Sequence, residues 1–502
     1  MDHDLATPKV IGDPVHGYIK LTDLEYDLLQ LPTMNRLHHI RQTAAAYLVF
    51  PGSITTRFSH VVGALHVGGK IIEIILDKLK ESDFKVLFPN LKSAEFLIKS
   101  IRLACLFHDV GHGPFSHSGE EAMLKVMKKY HSEEIDEAKQ LFNESDSNKI
   151  PIHEYYTYKL IKNGEICEEI LSHEDEELRD FVADLVVKSE VSQISKENLK
   201  GYNIVRRIVS SQLDADRMDY LLRDSMMSGV QFGQVDIDRI IQNMAIVKNR
   251  EGVYQLAFHE RALGNIEEML DARFKMYRYF YNHHTVVATN ELLRFAIDIL
   301  INENQEIADL FHWRSYSSGY STDMHILDLL RERKDRDDFL KVKGLTDRRF
   351  LPISIFKSTP DLGRFINEIN NLSSISMTKE TMNNNIASFF KDANGANKIQ
   401  AKLEEKSHLE NCEIFQSTVT MKPYSPFSSK DRVYLFRANE EDLCEFYSES
   451  SYFQKINEEW AKFRGLFLFY LIPDQTKKEF KTIKEEIRSI LASEIANYVG
   501  SE

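Results

Sequence analysis

The chain has 502 residues, 43% of them apolar and 28% charged, with a formal net charge of −14. That length exceeds one small core and predicts two or three domains, and the composition is that of a globular protein rather than a disordered or fibrous one. The acidic balance excludes a general electrostatic attraction to nucleic acid, so any anionic ligand needs positive charge concentrated at its site.

The opening, "MDHDLATPKV", lacks the basic start and apolar stretch of a signal peptide. Up to about residue 310, apolar positions recur at three- and four-residue spacing, as in "LKSAEFLIKSIRLACLF" and "LGNIEEMLDARFKMYRYFY". That period predicts amphipathic helices. "TTRFSHVVGALHVGG" puts His60 at the start of a helical stretch. The next apolar helix leads into "LFHDVGHGPFSH" and is expected to end near Gly111, with His108 and Asp109 in its last turn. An imidazole and a carboxylate at a helix edge form half of a divalent-ion site. The alternative for an HD dipeptide alone is a capped helix end.

The charge-rich segment from Tyr130 to Asn148 is expected to be a solvated insertion, and "PIHEYY" adds His153. "HEDEELRD" and "KSEVSQISKENLKG" read as an exposed helix and a loop. "SSQLDADRMDYLLRD" carries four aspartates on one helix. Asp216, Tyr220 and Asp224 share a face at four-residue spacing, while Asp214 lies roughly opposite Asp216. The competing reading is a solvated helix laced by Arg217 and Arg223. From about residue 320 the pattern weakens through "RERKDRDDFLKVKG" and "NNLSSISMTKETMNNN". After about residue 411, "CEIFQSTVTM", "DRVYLFRA" and "GLFLFYLIP" predict strands before a charged C-terminal helix. The apolar run Leu466–Ile472 is too short to cross a bilayer and reads as a buried strand. Cys105, Cys167, Cys412 and Cys444 lack CxxC pairing, which argues against a disulfide framework or a thiolate zinc site and fits a reducing, cytoplasmic setting.

The ordered set "RFSH … FHDVGHGPFSH … IHEYY … LDADRMDYLLRD" resembles the HD-domain deoxynucleoside triphosphate triphosphohydrolases over roughly residues 9 to 300. "GDPVHGYIKL" and "NRLHHIRQTAAAYLVFPGS" resemble that family's N-terminal segment. The resemblance implies an HD-domain helical core, placed at 1–320 in a mainly α fold; the residue patterns beyond it predict a helical and polar connection over 321–410 and a smaller α+β region over 411–502. It implies that His60, His108, Asp109 and Asp216 hold one divalent ion, which the donor types leave open among iron, manganese, zinc and magnesium. A further magnesium on the triphosphate is also expected.

The same resemblance gives His112, His117, Glu120 and His153 catalytic places beside the ion. His153 is the candidate acid, His112 faces the α-phosphate, and Glu120 is the acidic partner where the family has Asp. For His117 a purely structural role stays open. Gln42, Arg57, Arg217, Tyr220, Asp224, Arg273, Tyr277, Tyr281 and Asn282 are the implied substrate contacts, the arginines suiting phosphate through their planar fork. Thr43 replaces the family's leucine or glycine beside the sugar. Lys9, Val10, Arg239, Arg261, Asn265 and Arg278 match parts of activator sites between subunits, while Gln30 and His38 depart from a guanine-selective pattern. The implied activity is hydrolysis of a dNTP to deoxynucleoside and triphosphate by a homodimer or homotetramer, with a nucleotide activator and neither membrane nor nucleic acid as partner. The competing expectations are an HD phosphohydrolase of monophosphates or signalling nucleotides, and a nucleotide sensor without catalysis.

Overall fold

In a computed structural model the described residues are 9–189 and 191–333. They continue over 345, 353–356, 359–373, 378–391, 393–406, 409, 412–420, 432–437, 442–462, 464–471 and 480–501. The chain forms two compact units, each built from separate stretches. The first takes residues 1–277, 297–328 and 423–461; the second takes 278–296, 329–422 and 462–502.

Three helices organise the first unit: Arg57–Lys78, Ala94–Phe107 and Ala215–Ser228. Each begins at a side-chain cap, Thr56, Ser93 and Asp214 in turn, which satisfies an N–H that the helix itself cannot. Each such cap is worth about 1 kcal/mol. Arg57–Lys78 is long and apolar enough by composition to cross a bilayer, but 67% of its apolar window is buried inside the protein. Its Gly63 faces the aspartate helix at contact distance: a Cβ there would lie 2.0 Å from Asp219 Oδ1 and 2.3 Å from Arg223 Nη2. Glycine therefore lets two helices close over a buried ion pair.

An N-terminal hairpin, Lys9–Asp13 with Gly17–Leu21, pairs antiparallel from Lys9↔Leu21 to Asp13↔Gly17. A four-stranded sheet follows the order Met244–Lys248, Tyr254–His259, Tyr434–Phe436, Leu443–Glu445. Its middle pairing, Ala257↔Tyr434, is parallel and joins residues far apart in the chain. The second unit packs the helices Thr359–Ser373, Lys379–Lys391, Ala393–Glu404 and Phe480–Ser501 around Phe365, Ile386, Leu403 and Leu491. Its sheet places Arg464–Leu471 between Ile353–Ser354 and Glu413–Thr420. The fold is thus mainly α with small sheets, as expected.

Several local expectations are corrected. The Ala94 helix ends at Phe107 with His108 as its C-cap, so Asp109 lies in the following turn rather than in the helix. Gly111 is not a left-handed cap. A Cβ there would meet the His153 carbonyl oxygen at 2.1 Å and Thr157 N at 2.5 Å, so the glycine serves close packing. The Tyr130–Asn148 segment forms the helix Ser132–Phe142, which buries Glu134, Ile135 and Ala138. "HEDEELRD" opens the helix Glu176–Val187, whose last seven residues are buried, and the expected loop contains the short helix Gln193–Glu197. Parts of "RERKDRDDFLKVKG" and of the terminal strand and helix lie outside the described residues.

Candidate metal centre and phosphate site

Four side chains from three segments converge. His60 comes from the first turn of Arg57–Lys78, His108 and Asp109 from the end of Ala94–Phe107, and Asp216 from the first turn of Ala215–Ser228. His60 Nε2 lies 3.2 Å from His108 Nε2, 3.1 Å from Asp216 Oδ1 and 3.5 Å from Asp109 Oδ2. His108 Nε2 lies 3.5 Å from both Asp216 Oδ1 and Asp109 Oδ2. Donors about 2.1 Å from a shared ion stand roughly 3.0–3.4 Å apart, so His60, His108 and Asp216, whose ligand atoms all lie within 4.8 Å of one another, fit a divalent cation, with Asp109 beside both imidazoles.

The ring orientations make the same point. His60 Nδ1 bonds to Asp219 Oδ2 at 2.7 Å, and His108 Nδ1 bonds to the Cys105 carbonyl at 2.7 Å. Both partners only accept, so each Nδ1 carries the hydrogen and each Nε2 presents its lone pair to the centre. Two such lone pairs at 3.2 Å repel unless a cation lies between them. Burial opposes charge on His60, but Asp216 and Asp219 outweigh it and raise its pKa to about 10. Burial also disfavours the Asp216 anion, yet His108 and His60 hold its carboxyl well below the usual range. The field that retains a proton there attracts a dication in the same way.

Asp219 was not singled out in the sequence, and neither was His16. Asp219 accepts from His60 Nδ1, from His16 Nε2 at 2.7 Å and from Arg223 Nε and Nη2 at 2.8 Å each. Arg223 reaches on to Asp13 at 2.7 Å. The N-terminal hairpin thus braces a metal ligand through one buried carboxylate. The i,i+4 pair Asp219–Arg223 was the available signal; His16 stands in "GDPVHGYIKL", where the resemblance gives its histidine no role. Asp214 is the helix cap, accepting from Arg217 N at 2.8 Å, and stays out of the donor set.

A second group stands beside the first. Glu120 Oε1 bonds His153 Nδ1 at 2.7 Å and His117 Nδ1 at 2.9 Å. The His112 and His153 rings stack at 4.1 Å and 9°. His112 Nε2 lies 3.3 Å from Asp109 Oδ1, which links the two groups. His112 is fully buried, and neither of its ring nitrogens makes a hydrogen bond among the described residues. Burial, then Arg57 and His153, push its pKa well below the usual value, so it is neutral. Burial lowers His153 too, but Glu120 outweighs this and raises it. Burial disfavours the Glu120 anion, and His117 and His153 still hold it well below the usual range. His117, whose side chain is 69% exposed, touches the group through Glu120 and through edge contacts with the His112 and His153 rings.

The loop that carries these histidines is strained. Phe115 and Ser116 both take left-handed φ, 61° and 55°, a conformation that is an outlier for a bulky residue. Asp323 accepts the Phe115 N–H at 2.6 Å and the Arg41 N–H at 2.9 Å. Ser116 Oγ accepts from Arg57 Nε at 2.9 Å and donates to the Arg41 carbonyl at 2.7 Å. Burial raises the Asp323 pKa to about 6 against those bonds. Asp323 is a further residue the sequence did not flag.

The expected substrate contacts divide by location. Arg57 is buried; it pairs with Asp109 and leaves Nη2 without a hydrogen bond. Arg217 pairs with Asp214 and the Ser211 carbonyl, and its Nε makes no hydrogen bond. Arg273 donates to Gln212 at 2.7 Å, and its guanidinium faces Tyr277 at 5.7 Å and Trp460 at 5.2 Å. Tyr220 stands 6.5 Å from His60, ring to ring. Asp224 is buried, as is Gln42 Oε1, which has no hydrogen bond. Thr43 Oγ1 is 2.8 Å from Ser53 Oγ. Tyr281 and Asn282 belong to the second unit. Of the activator candidates, Lys9 pairs with Asp23 at 3.1 Å. Val10, Arg239 and Arg261 are exposed and Asn265 is half-buried, while Arg278 falls in the second unit.

This helical core and its His/Asp centre lie in the stretch that matches a known domain. The HD domain matches residues 57–224 and an HD associated region matches 235–371. The chain is 29% identical over 303 residues to an uncharacterized protein of Methanocaldococcus jannaschii, covering 60% of this chain and 52% of that protein. It is 29% identical over 361 residues to an uncharacterized protein of Mycoplasma pneumoniae, covering 70% and 73%. It is 28% identical over 289 residues to the deoxynucleoside triphosphate triphosphohydrolase SAMHD1 of Homo sapiens, covering 55% and 42%. The chain thus spans about half the length of the archaeal and human relatives. A crystal structure of a hypothetical protein from Aquifex aeolicus shares the fold, with TM-score 0.63, 21% identity and coverage of 96% of this chain and 100% of that one.

Proposed function

We propose that the protein is a metal-dependent hydrolase of deoxynucleoside triphosphates, releasing deoxynucleoside and inorganic triphosphate. The observation that carries this reading is the adjacency of two groups with different chemistry. One is a centre in which His60, His108 and Asp216 fit a divalent ion, with Asp109 beside them; the other is a His112–Glu120–His153 group 3.3 Å from Asp109. The likeness to the human dNTP triphosphohydrolase supports the choice of substrate.

When bound at His60, His108, Asp109 and Asp216, the ion supplies Lewis acidity toward phosphate oxygen and water. The chain's own groups do the rest. Glu120 occupies Nδ1 of His153, so the proton available to substrate sits on Nε2. Attack of water oxygen on the α-phosphorus breaks the bond to the 5′ oxygen; His153 Nε2 donates its proton to that leaving oxygen, and the proton lost by the water passes to solvent, from which His153 is reprotonated. His112, neutral and with no hydrogen bond of its ring nitrogens among the described residues, offers an N–H to the α-phosphate, a gain that grows as charge develops. Arg57 Nη2, Arg217 and Arg273 supply the fixed positive charge that a triphosphate needs. A homodimer or homotetramer with a nucleotide activator remains part of the proposal, tested by mass photometry with and without nucleotide.

The test is incubation with each dNTP, NTP and dNMP plus Mn, Mg or Fe, with product analysis. Triphosphate release from dNTPs, abolished in Asp216→Ala, is expected. Orthophosphate release from monophosphates, or dNTP binding without turnover under any metal, overturns the reading.

A further inference from the structure

The first unit holds a cavity of about 790 Å³ apart from the metal centre. Its walls carry Lys188, Lys200, Arg206, Arg207, Lys248 and Arg217, and no acidic side chain among the described residues lines it. In a chain of net charge −14, such a concentration is unusual. Internal partners answer only part of it. Lys188 pairs with Glu154 at 2.6 Å, and Arg217 pairs with Asp214. Arg206 donates to the Lys188 carbonyl at 3.3 Å, a neutral acceptor, and Arg207 donates to the Arg432 carbonyl. Lys248 Nζ stands 5.3 Å over the Tyr254 ring. Lys200, Arg206 and Lys248 have no carboxylate partner among the described residues. Like charges gathered in a concave wall repel unless an anion joins them, and the same focusing raises the local anion concentration.

We propose that this cavity is a second polyanion site, which takes the phosphate chain of a nucleotide or of inorganic polyphosphate. None of the four metal donors lines it, and neither do the second histidine group, Lys9, Val10, Arg239, Arg261 or Asn265. Apart from Arg217, which also belongs to the proposed substrate contacts, the site is therefore distinct from the reaction centre and from the candidate activator residues. Its volume suits a nucleotide, for which Asn203 and Gln255 offer amide donors and acceptors and Tyr254 an aromatic face, its hydroxyl held by Asp83 at 2.7 Å. Arg217 is the shared wall. It follows the metal ligand Asp216, and its guanidinium holds the Asp214 cap of the same helix. An anion in the cavity competes with Asp214 for that guanidinium, so occupancy is felt one residue from the metal. The proposal stands on the cavity and holds whether or not the chain hydrolyses dNTPs.

The test is calorimetric titration of the full chain with inorganic triphosphate, with dATP and with adenosine. The proteins are Asp216→Ala, which weakens the metal centre, and the same chain carrying Arg206→Glu and Lys248→Glu. Asp216→Ala is expected to bind inorganic triphosphate, and the double reversal to weaken that binding at least tenfold with an unchanged circular dichroism spectrum. Binding of dATP alone, lost in the same variant, supports the site with the base contributing. Where the double reversal does not fold, Lys200→Ala with Lys248→Ala takes its place. Equal affinities with and without the cavity substitutions, adenosine binding as tight as dATP, or no anion binding at all would overturn the proposal.

Discussion

Replacing Asp219 by Asn tests how the metal centre is built. The exchange keeps volume, but one acceptor oxygen becomes an NH2 donor. Asp219 is fully buried and accepts four hydrogen bonds, two from Arg223 and one each from His60 and His16. An amide nitrogen facing His60 Nδ1 cannot accept, so the ring moves its hydrogen to Nε2, the nitrogen aimed at the ion. Loss of such a supporting partner typically lowers metal affinity about 10–100-fold, which is roughly 1.4–2.8 kcal/mol. Breaking a buried ion pair costs about 3–5 kcal/mol. Arg223 retains Asp13 at 2.7 Å, so the lower end applies here. The assay is metal content after dialysis against graded chelator, with thermal melting of the apo protein in parallel. Unchanged metal affinity would refute the orienting role, and an unchanged melting temperature would refute the buried-pair argument. If only stability falls, Asp219 is a structural residue and His60 is held by other means.

Glu120→Gln removes the anion that raises His153. The protonated imidazole is fully present below its ordinary value and is lost as pH rises through the raised folded value. The alkaline limb of the kcat profile is therefore expected to move to lower pH in Glu120→Gln; an unmoved limb excludes His153 as the acid. Gly111→Ala forces a Cβ to 2.1 Å from the His153 carbonyl oxygen, a backbone atom that cannot swing away. Overpacking of this kind costs about 1–3 kcal/mol, read as a lower urea midpoint. Since the push falls on the His153 helix, kcat is expected to drop as well. Arg57→Lys keeps a charge for Asp109 but loses the fork that also reaches Ser116 Oγ at 2.9 Å. Turnover is expected to fall with metal content unchanged.

Much of the centre was legible before the fold. His60, His108, Asp109 and Asp216 stand in short motifs, and helix periodicity set Asp216 apart from Asp214, which is the cap. Apolar spacing gave the helices because burial of one face is a local pattern. What surrounds the ligands was not legible. His16 and Asp219 meet across 203 positions and Asp323 reaches Phe115 across 208, contacts that no local period records. Gly111 looked like a helix end, and only the approach of the His153 helix shows it to be a spacer. The chain's crossing between two units leaves no mark in composition, because each segment is amphipathic whichever core it joins. The sequence by itself thus marked the candidate donors through short motifs and a family resemblance, while it misplaced Asp109, which lies in the turn after its helix. Tertiary structure decided which nitrogen faces the ion, because the acceptors that orient the imidazoles come from buried carboxylates and carbonyls brought together only by packing.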